Sequence, residues 1–158
     1  MTMHKHNGFT LVELLVVVVA ISILATMSIV SYNVVQKDTH DSARSSKTTV
    51  ISEALEKYYR TNKEYPAVLA LTGQPVSTVK DKLDIIDEDV LTFPTAPKGT
   101  NSIVSSAAST TQLNYQASGG VNCRTSATGY CEAFLLTYVK EANGQSITVS
   151  SREGTFVP

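Results

Sequence analysis

The chain has 158 residues, a net charge of −1, 42% hydrophobic residues and 17% charged ones. That length suits one ordinary domain and not two, and the near-neutral balance excludes a basic surface built for nucleic acid. The apolar residues are unevenly spread: from Phe9 to Val35 the only charged side chain is Glu13, whereas the remainder is rich in Ser and Thr.

The first eight residues, Met1 to Gly8, are polar and carry Lys5, His4 and His6. An apolar run follows, Phe9-Thr10-Leu11-Val12-Glu13-Leu14-Leu15-Val16-Val17-Val18-Val19-Ala20-Ile21, and continues past Val30 with only Ser22, Thr26 and Ser28 inside it. A secretory signal peptide would need a shorter apolar core, a small-x-small cleavage site and a break, and no Gly or Pro interrupts the chain from Phe9 to Tyr65. An uncleaved signal anchor fits the length, since Phe9 to Val30 makes about 33 Å of helix. Lys5 favours the short side in the cytoplasm. Neither reading accounts for Glu13, because an unpaired carboxylate in a membrane helix is costly and functional by default. No Lys or Arg lies between Phe9 and Val35 to pair with it. A cut between Gly8 and Phe9 would create the missing cation, a new α-ammonium four residues from Glu13 or at the same depth on a neighbouring molecule.

The segment Gly8-Phe9-Thr10-Leu11-Val12-Glu13-Leu14-Leu15 resembles the type IV prepilin signature, strongly over residues 1–35 and in outline beyond. The resemblance implies an α+β pilin fold. A leader (1–8) precedes a transmembrane and filament-core helix (9–35), an amphipathic helix (36–62) and a globular head (63–158). It also implies that a prepilin peptidase cuts after Gly8, that Phe9 becomes the N-methylated first residue, and that Glu13 guides assembly by pairing with a Phe9 ammonium. The partners implied are other copies in a helical filament, the peptidase, a platform protein with its ATPase, and the inner membrane before export to an extracellular pilus. Nucleic acid would be a direct partner only for a competence pilin. Many pilins carry a Pro midway along this helix; here there is none, and Ser22, Thr26, Ser28 and Ser31 are placed to loosen the helix by back-bonding.

Beyond Val35 the helix turns polar. Val50, Ile51, Ala54, Leu55, Tyr58 and Tyr59 recur at spacings of three and four and form one face, and the helix is expected to end near Asn62, ahead of Tyr65-Pro66. From Thr10 to Thr61 such a rod measures about 78 Å, so its front half needs lipid or other copies of itself. The charged stretch Lys37–Lys47 reads as a solvated surface or as salt bridges between subunits. His40 reads as a surface residue and not a metal ligand.

Residues 66–110 are broken by Pro66, Gly73, Pro75, Pro94, Pro97 and Gly99, with two short helices expected; Val79–Val90 presents Leu83, Ile86 and Val90 on one face. The group Asp84, Asp87, Glu88, Asp89 does not follow the order of an EF-hand loop and reads as a solvated face, with no metal site. Thr100–Thr111 is expected to be an exposed loop. Three strands follow, 112–117, 131–140 and 146–151, forming an antiparallel sheet over the helix, with Asn143-Gly144 turning the last hairpin. Cys123 and Cys131 read as one disulfide, and otherwise as two buried free thiols.

No CxxC, HExxH, phosphate-binding loop or dinucleotide fingerprint occurs, and no Ser-His-Asp arrangement can be assembled, so neither a catalytic site nor a cofactor is expected. The function expected is a structural pilus subunit serving adhesion, motility or DNA uptake. The alternatives are a pseudopilin of a type II secretion or competence machine, and an uncleaved membrane-anchored binding module.

Overall fold

The structure is a computed structural model that describes residues 9–157, the side chains of 27–31 excepted. The expected leader 1–8, including Gly8, lies outside the described residues. With no Gly or Pro to break it, one helix, α1, runs Leu11–Asn62, ending where the sequence places it. Lys63 adopts a left-handed conformation (φ 61°) and donates its N–H to the Tyr59 carbonyl at 2.7 Å, which closes the last turn.

The chain divides into two units, residues 1–36 and 37–158. In the first, every described side chain from Phe9 to Thr26 is exposed. Ser22 and Thr26 hydrogen-bond back to the carbonyls of Val18 and Ile23 at 2.7 and 2.8 Å, as their position on an apolar helix suggests. Ser28 and Ser31 lie outside the described side chains.

The second unit is the head. The residues of α1 buried against it are Asp41, Arg44, Thr48, Ile51, Ala54, Leu55 and Glu56. The sequence face is therefore corrected in part: Val50 is exposed, Tyr58 and Tyr59 are half-buried, and the buried stripe starts earlier, on polar residues. After α1 come β1 (Tyr65–Pro66), α2 (Val68–Leu71), α3 (Val76–Leu83) and a 3-10 turn (Glu88–Leu91). The strands β2 (Ile103–Val104), β3 (Leu113–Ser118), β4 (Tyr130–Cys131), β5 (Ala133–Val139) and β6 (Ser146–Ser150) follow.

The main sheet has the order β2-β3-β5-β6. The β3-β5-β6 part is antiparallel, with Tyr115 opposite Leu136, Ala117 opposite Phe134 and Tyr138 opposite Ile147. These are the three expected strands. Two strand pairings were not expected. β2 joins parallel to β3 (Ile103 opposite Leu113), and β1 pairs with β4 (Tyr65 opposite Cys131) in a separate ribbon. The expected strand 131–140 is thus split at Glu132. Leu113, Tyr115, Ala117, Phe134, Leu136 and Tyr138 alternate along their strands and are all buried in the core. Tyr65 sits at its centre, stacked on Tyr59 at 4.7 Å and edge-on to Phe134 at 4.9 Å.

Two loop expectations are corrected. The stretch 100–111 is not wholly exposed: Ser102 and Ile103 are buried, because Ser102 caps the Phe93 N–H (2.8 Å) and Ile103 fills the sheet edge. The helix expected over 79–90 stops at Leu83, where Asp84 turns left-handed (φ 51°). Ile85 then faces inward and Ile86 outward, so Ile86 does not join Leu83 in the core.

Candidate functional site

Residues 9–13 build the start of α1 as a capping box. Thr10 is the residue before the first helical one, and its carbonyl accepts the Leu14 N–H at 3.3 Å. The Glu13 N–H donates to Thr10 Oγ1 at 3.2 Å, while Glu13 Oε2 accepts from the Thr10 N–H at 2.9 Å and from Thr10 Oγ1 at 2.8 Å. Each side chain thereby satisfies the other's backbone donor, which the free start of a helix otherwise leaves orphaned. The Thr-x-x-Glu spacing at 10–13 is the sequence signal for this box. Both bonds fall on Oε2; Oε1 has no partner among the described residues. Phe9 immediately precedes this box and is 84% exposed.

A second cluster ties α1 to the far end of the sheet, and nothing in the sequence reading placed it. Arg44 is wholly buried. Its guanidinium donates to Asp41 Oδ1 (2.8 Å), Glu141 Oε2 (2.9 Å), Thr95 Oγ1 (3.0 Å) and the Thr110 carbonyl (2.7 Å). Asp41 also accepts the N–H groups of Glu141 and Ala142 at 2.7 and 3.0 Å. His40 Nδ1 lies 3.0 Å from Glu141 Oε2. Burial pushes the Asp41 carboxyl up, but the two backbone N–H groups and Arg44 outweigh it and hold the carboxyl below its ordinary value. Glu141 is likewise held low, first by its bond to Arg44 and then by its bond to His40. Of the Lys37–Lys47 stretch, Asp41 and Arg44 are therefore neither solvated nor free for salt bridges between subunits, and His40 has a partner. A buried charge is tolerated only when it is paired and hydrogen-bonded, and Arg44 finds four acceptors: Asp41 on α1 itself and three on other segments of the head, at Thr95, Thr110 and Glu141.

Cys123 and Cys131 form a disulfide with Cα atoms 5.0 Å apart, and no cysteine is left free. The loop between them is held tightly: at Gly129 an added Cβ would stand 2.2 Å from the Asn122 carbonyl oxygen, so only glycine fits. Among the described residues no group of His, Cys, Asp and Glu is placed to hold a metal ion, and no helix is long and apolar enough to cross a membrane.

Residues 3–29 match the family model described as the prokaryotic N-terminal methylation motif. The chain carries the prepilin signature of the type IV pilins and pseudopilins. The motif spans Gly8, Phe9, the capping box and the apolar start of α1, and it marks a leader of the kind that prepilin peptidases process. No curated protein and no solved structure matches the chain significantly. The α+β architecture, a long N-terminal helix followed by small sheets, is consistent with a pilin fold.

Proposed function

We propose that this prepilin is a structural, non-catalytic subunit of a type IV pilus, cut between Gly8 and Phe9, N-methylated at Phe9, and polymerised through α1. The observation that carries the reading is Glu13, one carboxylate on a helix face whose other described side chains, from Leu11 to Ile21, are all apolar and exposed. Apolar surface on that scale is unfavourable in water and needs covering. Lipid would cover it in the precursor, and neighbouring copies of α1 would cover it in the filament. Residues 9–35 are the membrane segment in this reading, with the head outside; the described residues alone do not make a span, since the side chains of 27–31, inside the run, lie outside them.

The capping box supports a division of labour on Glu13. Oε2 holds Thr10 and fixes the start of the helix, and Oε1 is left for the Phe9 ammonium of a neighbouring subunit. In a dry helix bundle that pair is worth far more than at a wet surface, and it sets the register of the incoming subunit. A platform protein and a cytoplasmic ATPase would supply the work of extrusion.

Intact mass and N-terminal mapping of protein taken from its native cell surface test the processing. The expected product starts at Phe9 and carries one extra methyl group. An intact Met1 would overturn the proposal and restore the anchored-module reading. Electron microscopy of the same cells then shows long surface filaments if the subunit belongs to a pilus, whereas a pseudopilus leaves none.

A further inference from the structure

Ile86 is 95% exposed, more than Phe9 or Leu11 on the apolar helix and more than any other large hydrophobic residue among those described. Its presentation is built and not incidental. Asp84 ends α3 in a left-handed turn that is closed by the Ile85 N–H on the Lys80 carbonyl at 3.0 Å. Ion pairs Lys57–Asp84 and Lys80–Glu88 brace the segment on either side. Ile85, buried, anchors it to the core. Beside the knob, Asp87 Oδ1 accepts the Asp89 N–H at 2.9 Å, and its Oδ2 has no partner among the described residues.

A separate part of the head holds an open cleft of about 360 Å³ lined by Val68, Leu69, Tyr115, Gln116, Ala117 and Arg124. Its accessible apolar wall is Leu69, backed by the buried Val68 and Ala117, and Ser105 and Gln116 add polar groups. At its mouth Arg124 is oriented by one bond, Nε to the Ala117 carbonyl at 3.0 Å, and the terminal nitrogens of its guanidinium have no partner among the described residues.

We propose that the Ile86 knob of one head docks in the Val68–Leu69–Ala117 cleft of the next copy, with Asp87 pairing to Arg124 across the contact. The chemistry matches at two points: a single branched aliphatic side chain against the exposed Leu69, and an open carboxylate oxygen beside it against the guanidinium of Arg124. Knob and cleft share no residue, so the contact is heterologous; repeated copy to copy it builds an open array instead of a closed dimer. The braced turn means that little ordering is left to be done on docking. The occupant is a second copy because the filament reading, on which this inference rests, brings heads of this chain together at high density. A net charge of −1 offers little opposing repulsion.

The test is cross-linking in assembled filaments of the full chain. Ile86→Cys with Gln116→Cys, treated with a short bismaleimide, is expected to give a ladder of dimers and higher multimers that neither single variant gives. Filaments of wild-type abundance without a ladder, or an Ile86→Cys cross-link to a different protein, would overturn the docking. Should the cysteine pair prevent assembly, charge exchange decides: Asp87→Arg and Arg124→Asp each lower filament yield severalfold, and together they restore it. Failure of the pair to restore yield overturns the proposal. A wild-type chain that makes no filaments sinks the filament reading itself.

Discussion

The two ends of α1 invert the usual relation between hydropathy and burial. From Phe9 to Thr26 the helix is almost wholly apolar and wholly exposed. From Asp41 to Thr48 the buried face carries Asp41, Arg44 and Thr48, and the apolar stripe starts only at Ile51. An apolar helix that stays exposed within its own chain needs a cover that the chain itself does not supply. A charged helix that is buried, in contrast, draws its specificity from its own head. Arg44 adds little net driving force, because desolvation offsets much of what its bonds return, yet it fixes where α1 lies on the β5–β6 turn and on the loops at Thr95 and Thr110.

That contrast can be broken from either end. The largest effect is expected for Glu13→Ala. Filament yield should fall by an order of magnitude or more, while the head's thermal unfolding is unchanged and the leader is still cut. A normal yield, counted by electron microscopy, removes Glu13 from assembly. Arg44→Met should do the reverse and act first on the head. It leaves Asp41 and Glu141 without their cation and costs about 3–5 kcal/mol in chemical denaturation, since an uncompensated buried charge is left behind. If it proves neutral, the cluster does not hold α1 to the head.

Smaller effects sharpen the same picture. Opening the disulfide with Cys123→Ser and Cys131→Ser should cost roughly 2–3 kcal/mol, measured by denaturant midpoint, because the loop it closes is short. The carboxyls of Asp41 and Glu141 are held below their ordinary values, so their contribution to stability is complete above the carboxylate range of the unfolded chain, about pH 4. It is lost as the pH falls through their lower folded values. Stability of the wild type should therefore drop on acidification through that window, and Asp41→Asn should flatten the drop. An unchanged slope would mean that Asp41 does not titrate differently in the fold. The smallest effect is expected for Thr10→Val, which removes the hydroxyl half of the capping box; filament yield should fall, but less than with Glu13→Ala.

Much of this molecule is legible in its sequence. The Gly8-Phe9 step, Glu13 and the apolar run are local features, set by which residues follow one another, and the matched motif covers the same stretch. The end of α1 at Asn62 and the β5–β6 hairpin at Asn143-Gly144 also follow from local signals, Pro66 and a glycine at positive φ. The capping box is equally local, set by the Thr10-x-x-Glu13 spacing that makes Thr10 the intrachain partner of Glu13.

Period, punctuation and composition govern the part of the protein that can be read along the chain. They give an exposed apolar helix with one acid in it, three alternating strands, a likeness to pilins and a cysteine pair close enough to bridge. The remainder is settled by folding. Glu141 lies about a hundred residues along the chain from Asp41 and Arg44, and no hydropathy pattern marks a polar residue as buried when its partner is that distant. Likewise, Ile85 and Ile86 are the same residue type side by side, and only the left-handed turn at Asp84 sends one into the core and the other into solvent. Partners far apart in sequence are brought together by folding, and until then their chemistry reads as ordinary surface charge.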